Sequence, residues 1–318
     1  MESLLDVFRA VADPSRVRIL LLLDQMELSV GELAVVLGQS QPRVSRHVRI
    51  LAEAGLVSRA REGAWVFVRL SGRARPVMAA MRALGDIESI GAEDRARLAV
   101  VRAERAVAAD SWFAAHAEDW DRERSLFSRE ADVEAAILAA LGDRPLGDLM
   151  DVGTGTGRMI ELLGPRAETA LGIDRSPEML RLARGRIEAA GLRRAEVRSG
   201  DMFSLPGIDG SFDTVVMHQV LHFADDPPAV VAEAARVLRP GGRLLIVDLA
   251  AHDREALRSE RRHVRLGFAA AQLSDWMAAA GLRAEVAAHL PAPEALAVTV
   301  WLGEKIAGET ARVVRSVA

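Results

Sequence analysis

The chain has 318 residues, half of them hydrophobic, with a formal net charge of −4 and no cysteine. That length supports two domains, each able to bury its own core. The missing thiols exclude disulfides, thiolate metal sites and sulfur nucleophiles, and suit a cytoplasmic protein. No apolar run reaches the length a bilayer span needs, and the acid in Met1-Glu2 predicts no secretory leader. Charge is uneven: residues 1–75 carry +3 and the remainder −7. A mildly basic end on an acidic body suits a DNA-contacting module.

Helix punctuation is dense near the start. Asp13 and Pro14 supply an N-cap and a first-turn proline, predicting a helix to about Leu23. Ser29 and Glu32 form a capping box, and Gly38 stops that helix. Ser40 and Pro42 open the next helix, which runs to Gly55. Two short, closely spaced helices of this kind describe a helix-turn-helix. In the second helix Val44, Val48 and Leu51 are spaced to pack inward. Gln41, Arg43, Ser45, Arg46 and His47 crowd its N-terminal part, where a recognition helix meets base edges and phosphates. Arg can take guanine bidentately and Gln can take adenine. Residues 56–70 read as strand, a Glu62-Gly63 turn and strand, with Arg59 and Arg61 making a basic hairpin. An arginine-rich helix alone would more often be a solvated face. The order of cap, turn, Arg-rich start and hairpin predicts a winged helix on DNA.

The stretch 4–75 resembles the ArsR/SmtB family of bacterial winged-helix repressors. The resemblance rests on Ala12-Asp13-Pro14-Ser15-Arg16, on Ser40-Gln41-Pro42-Arg43-Val44-Ser45-Arg46-His47, and on Leu51-Ala52-Glu53-Ala54-Gly55-Leu56-Val57. It implies a homodimer on palindromic double-stranded operator DNA. Metal-sensing members carry two cysteines where this chain has Ser29 and Gly31, so soft-metal sensing there is excluded. Residues 76–110 then show helical periodicity interrupted by Gly85 and Gly91. Met78, Met81 and Leu84 fit a dimer surface and an ordinary core stripe equally. Trp112, Phe113 and Trp120 fit a cap on an adenosine or methionine pocket and ordinary packing equally, and a helix is predicted over 131–141.

From residue 148 onward strands (149–152, 170–173, 195–198, 212–217 and 244–249) alternate with helices. Such alternation predicts an α/β, doubly wound, Rossmann-like parallel sheet with its ligand at the carboxyl ends of the strands. Gly153, Gly155 and Gly157 follow the first strand with G-x-G-x-G spacing. That is neither the dinucleotide fingerprint nor a P-loop. Asp151 can receive an ammonium group, while Thr154 and the glycine amides can approach the ligand. Asp174, with Arg175 beside it, can accept both ribose hydroxyls. Met179 can pack on adenine, and Asp201 with the Met202 amide can hold the adenine edge. His218 lies just past the fourth strand, near the ligand's amino-acid tail. One aspartate would more often be a cap or a surface acid; three at consecutive strand ends read as one site. The ligand so described is S-adenosylmethionine or S-adenosylhomocysteine, with no metal.

Residues 112–305 resemble the class I S-adenosylmethionine-dependent methyltransferases, including Leu238-Arg239-Pro240-Gly241-Gly242 before the fifth strand. His218 and His222 are candidate catalytic bases, since imidazole titrates near neutrality. No Asn/Asp-Pro-Pro-aromatic motif follows the fourth strand, which argues against amine methylation of DNA bases. The lack of cysteine argues against C5-cytosine and arsenite methylation. The basic run 254–268, with Arg258, Arg261, Arg262, His263 and Arg265, fits a solvated helix better than a cover over an acidic acceptor.

The expected organisation is a winged helix-turn-helix (1–75), a helical connector (76–110), a methyltransferase-like domain (111–305) and a tail (306–318). The expected function is transcription regulation, with the adenosyl ligand controlling operator binding. The pairing of domains resembles regulators that respond to S-adenosylhomocysteine. An active small-molecule methyltransferase carrying a helix-turn-helix is the alternative.

Overall fold

The computed structural model describes residues 2–62, 65–87, 89–120, 130–292 and 296–306. Contacts divide the chain into two units. The first holds Met1–Trp112 together with two later returns of the chain, Phe223–Asp226 and His252–Leu266, and the second holds the remainder. The expected Gly63 turn and residues 307–318 of the expected tail lie outside the described residues.

The first unit runs α1 (Glu2–Val11), α2 (Pro14–Leu23), β1 (Leu28–Ser29), α3 (Val30–Leu37), α4 (Gln41–Glu53), β2 (Val57–Glu62), β3 (Trp65–Leu70) and α5 (Ala74–Leu84). A longer helix, α6 (Ala92–His116), then crosses the division between the units. The punctuation works as its chemistry demands. Asp13 accepts from the Ser15 and Arg16 amides, and Ser29 and Glu32 complete a reciprocal capping box. Gly38 closes α3 at φ 63°, a left-handed conformation that costs glycine nothing. Ser40 precedes α4 without capping it through its side chain. The two strands of the hairpin pair antiparallel from Val57↔Leu70 to Glu62↔Trp65, and β1 adds to β3.

The core gathers Ile19, Leu20, Leu33, Val44, Val48 and Leu51, with Met78 from α5 buried among them. Met78 is therefore core, whereas Leu84 at the end of α5 is 87% exposed. α6 is fastened to this core by charge. Asp94 is buried and receives the Arg18 guanidinium at 2.5 and 2.6 Å and Arg97 at 2.6 Å. Arg97 also donates to the Val36 carbonyl at 2.7 Å. Burial alone would raise the Asp94 pKa, but the hydrogen bonds from Arg18 and Arg97 outweigh it and hold the carboxyl below its ordinary value.

The second unit comprises α7 (Glu130–Leu141), β4 (Asp148–Val152), α8 (Arg158–Leu163), β5 (Thr169–Asp174), α9 (Pro177–Ala189), β6 (Ala195–Ser199), β7 (Phe212–His218), α10 (Pro227–Val237) and β8 (Leu238–Leu249). After α11 (Ala256–Glu260), which belongs to the first unit, it continues with α12 (Ala270–Ala279), β9 (Leu282–Leu290) and β10 (Val298–Lys305). Its sheet has the order β6-β5-β4-β7-β8-β10-β9, with the first five strands parallel as expected. The antiparallel pair β10 and β9 was not expected from the sequence. The order reverses direction at β4, so the carboxyl ends of β4 and its neighbours open at a topological switch point. Lys305, the chain's single lysine, donates to the carbonyls of Ala235 at 2.8 Å and Leu238 at 2.7 Å. A cation thereby satisfies the terminal carbonyls of α10.

One expectation is corrected. The basic run 254–268 is not a solvated helix: only Ala256–Glu260 is helical, and His263 and Arg265 are buried.

Replacing Asp94 by Asn should destabilise the first unit by about 3 kcal/mol, the scale for breaking a buried ion pair by removing one partner. Because the folded pKa is depressed, the wild-type advantage is present above the unfolded carboxylate pKa. It is lost as pH falls through the folded value. Urea unfolding of both proteins at neutral and acidic pH checks this; equal midpoints at neutral pH would refute it.

Candidate cofactor and DNA sites

The glycine turn leaves β4 in a conformation few residues can adopt. Gly153, Gly155 and Gly157 have φ of 71°, 51° and 85°. A Cβ on Gly153 would collide with the Val220 side chain, so the loop after β7 lies directly against the turn. Two carboxylates fix the turn from beneath. Asp151 is buried and accepts from Thr154 Oγ1 at 2.6 Å. Asp174, at the end of β5, accepts from the Gly155 amide at 2.8 Å and the Ser176 amide at 2.9 Å. Charge-assisted bonds to backbone amides are about twice as strong as neutral ones, which suits a loop that must hold its shape.

Of the other residues expected here, Met179 is buried on α9, with its amide donating to Ser176 Oγ. Arg175 is exposed. Asp201 is exposed and accepts from the Phe203 amide at 3.0 Å in a tight turn that includes Met202. Trp120 lies over the glycine turn, its Nε1 3.6 Å from where a Cβ on Gly155 would stand. Phe113 meets Trp120 edge to face at 5.4 Å.

Both candidate histidines are buried at the carboxyl end of the sheet, His218 as the last residue of β7 and His222 in the short 3₁₀ turn Leu221–Phe223. His222 Nδ1 lies 2.7 Å from Asp248 Oδ1, near the end of β8. Asp248 also accepts from the amides of Leu221 at 3.0 Å, His222 at 3.3 Å and Leu249 at 2.7 Å. Asp248 thus fixes the orientation of the His222 ring through Nδ1 while gathering the loop amides. Asp248 stands in no recognisable motif of the sequence. Its signal was a carboxylate following the apolar run Leu244–Val247 of β8, the same kind of cue that marked Asp151.

In the first unit, a groove of about 330 Å³ brings Gln41 and Ser45 of α4 together with Arg59 of the hairpin. Trp65 and Val66 on β3 complete its wall, a role that no motif of the sequence marks. Arg43, Arg46 and Arg61 are exposed. His47, expected among the DNA contacts, is buried instead and faces Asp13, with Nδ1 4.0 Å from Oδ1. Burial lowers its pKa, Asp13 works against that, and Arg16, Arg43 and Arg46 lower it further. The spacing of Val44, His47, Val48 and Leu51 already describes one helix face. Ser29, at one of the positions where metal sensors carry cysteine, spends its hydroxyl on the α3 cap.

Comparison with known proteins agrees with both halves. Residues 13–59 match the family described as bacterial regulatory protein, arsR family, and residues 150–246 match the methyltransferase domain family. An uncharacterized 37.1 kDa protein in transposon TN4556 of Streptomyces fradiae is 38% identical over 141 residues, covering 41% of this chain and 40% of that protein. Phosphatidylethanolamine N-methyltransferase of Cereibacter sphaeroides is 40% identical over 112 residues, covering 35% of this chain and 55% of that one. The chain thus spans about half, or less, of these curated relatives. The structure of the DhpI complex with S-adenosylhomocysteine is 23% identical, covers 63% of this chain and 96% of its own, and gives a TM-score of 0.50. That likeness concerns the fold alone.

Gly153→Ala should weaken S-adenosylhomocysteine binding by about tenfold or more, because a Cβ on left-handed backbone costs about 1–2 kcal/mol before the Val220 collision is counted. Calorimetry on the folded variant checks this, and an unchanged affinity would separate the turn from the ligand.

Proposed function

We propose that this chain, which joins an arsR-family helix-turn-helix to a class I methyltransferase fold, is a DNA-binding transcriptional regulator whose methyltransferase domain binds S-adenosylmethionine or S-adenosylhomocysteine and thereby controls operator binding. The observation that carries the reading is the groove uniting Gln41, Ser45 and Arg59, in the same chain as a carboxylate-held glycine turn. In the DNA half, Arg43 and Gln41 are the base readers, Ser45 and Arg46 position the helix, and Arg59 and Arg61 take phosphates. In the ligand half, Asp151 receives the ammonium group and Asp174 the ribose hydroxyls. Arg175 and Met179 line the site, and Asp201 with Met202 holds adenine. His218 borders the amino-acid tail.

A homodimer on a palindromic operator is part of the same reading. Leu4, Leu5 and Phe8 on α1 are 57%, 53% and 58% exposed, and Leu84 is more exposed still. Large apolar side chains left exposed along α1 and at the end of α5 favour a partner, and two identical readers suit two half-sites.

The His222–Asp248 pair favours a second reading, methyl transfer to a small molecule. A histidine oriented by a buried carboxylate is the usual construction of a general base. Incubation with S-adenosylmethionine carrying a labelled methyl group and a panel of small-molecule acceptors tests it. Loss of transfer in His222→Gln would support the assignment, and full transfer in that variant would remove it.

The regulatory reading is tested on duplex DNA from upstream of the chain's own coding sequence, by fluorescence anisotropy with and without each adenosyl ligand. Arg43→Ala should cost about 1–3 kcal/mol and relax sequence preference, whereas Arg59→Ala should weaken all sequences alike and lower the salt slope by about one. Equal DNA affinity with and without saturating ligand would overturn the regulatory reading.

A further inference from the structure

Two stretches of chain return to the first unit from the carboxyl ends of β7 and β8. Phe223–Asp226 begins one residue after His222, and His252–Leu266 follows shortly after Asp248. The His222–Asp248 pair therefore ties together the points from which both returns depart. Within the second unit that anchor adjoins Val220, which lies against Gly153 of the glycine turn. Gln219, between β7 and Val220, holds φ at 51°, an uncommon conformation for a residue with a side chain.

Inside the first unit the returns act as one piece. Arg265 donates to the Asp225 carbonyl at 3.0 Å, and His263 meets Phe223 edge-on at 5.3 Å. Arg265 is fully buried, with Nη2 3.2 Å from Glu27 Oε2, which is also buried. Its guanidinium lies 3.8 Å from the centroid of the Phe67 ring. Arg258 stands over Trp65 at 5.3 Å and over Phe67 at 5.6 Å. Glu27 immediately precedes β1, and Ser29 of β1 is paired with Phe67 of β3. Trp65 in turn lines the groove with Gln41, Ser45 and Arg59. Two returns that needed only cover would bury apolar side chains. Burying a guanidinium and a carboxyl group is expensive. Here neither Glu27 oxygen has a hydrogen-bond partner among the described residues, so Arg265 is seated by proximity to Glu27 and by its stacking on Phe67.

We propose that the Arg265–Glu27–Phe67 junction is the element through which occupancy of the adenosyl pocket alters the hairpin's grip on DNA. Ligand in the glycine turn bears on the loop carrying Val220. That loop is held to β8 by Asp248, and displacement there moves the roots of both returns. Arg265 and Arg258 carry it to β3, and Trp65 carries it to the groove wall. The proposal rests on the regulatory reading above.

The test uses the full chain, S-adenosylhomocysteine as ligand, and the upstream duplex as DNA. The variants are Arg265→Met and the double Glu27→Gln/Arg265→Met, which removes both buried charges. Wild type should change DNA affinity at least about fivefold on saturation with ligand. Hydrogen exchange over residues 57–70 should change with it. The variants should bind ligand within about twofold of wild type by calorimetry, yet show less than a twofold ligand effect on DNA affinity. A wild-type-sized ligand effect in the double variant overturns the junction while leaving the regulatory reading intact. If ligand binds wild type without changing its DNA affinity, both fail together. Should both variants unfold, Arg258→Ala decides in the same assay, a reduced ligand effect supporting the proposal and a full one overturning it.

Discussion

Loops that leave parallel strands carry backbone amides with no strand partner, and in the second unit carboxylates take them. Asp174 holds the Gly155 and Ser176 amides; Asp248 holds those of Leu221, His222 and Leu249; Asp201 holds that of Phe203. Buried amides left unsatisfied would cost about 1–3 kcal/mol each. Acids at these strand ends are therefore structural before they are functional. The same bonds set the floor of the cradle, because a glycine turn held at positive φ cannot choose its own shape. The ligand roles proposed above for Asp151 and Asp174 would be grafted onto side chains that already hold the loops.

The first unit uses charge differently. Its winged helix closes around aliphatic side chains from α2, α3 and α4, while later pieces of chain are fastened to it by buried ion pairs. Asp94 brings α6 to Arg18, and Arg265 brings the second return to Glu27. Apolar contact tolerates sliding, whereas the bidentate Arg18–Asp94 pair tolerates little; Arg265 meets Glu27 through Nη2 alone. Segments attached in this way keep their register as the rest of the core adapts. That property is what a reader of DNA requires of anything bearing on its hairpin.

Much of this was legible in the sequence where the governing physics is local. Caps at Asp13 and Ser29, the stop at Gly38 and the turn at 153–157 depend on residues within one or two turns of one another. Four of the five parallel strands carry apolar runs, and β6 (Ala195–Ser199) was placed by the alternation of strand and helix around it. β9 was not legible, because Leu282–Leu290 carries three Ala and only one β-branched residue, and its pairing with β10 makes it a strand. His47 is expected among the DNA contacts, yet its spacing from Val44 and Leu51 sets it on the buried face of α4. Arg265 was misread for a different reason. Arginine is rarely fully buried unless paired, and the partner that reverses that expectation, Glu27, lies in the opposite end of the chain.

Sensing and turnover make different demands on one pocket. A catalyst must hold the transition state more tightly than its substrates, while a sensor must bind two ligands unequally in two states of the protein. S-adenosylmethionine and its product differ by one methyl group and one positive charge, so a pocket lined by acids can distinguish them without catalysis. The His222–Asp248 pair bears on both demands at once. Its carboxylate orients an imidazole, as a base requires, and fastens the loop that rests on the glycine turn, as a transmitter requires. Three backbone amides also converge on Asp248, so the histidine is held by a fixed carboxylate. In the coupling proposed above, movement imposed by a ligand would be taken up by the loop and the returns that leave it.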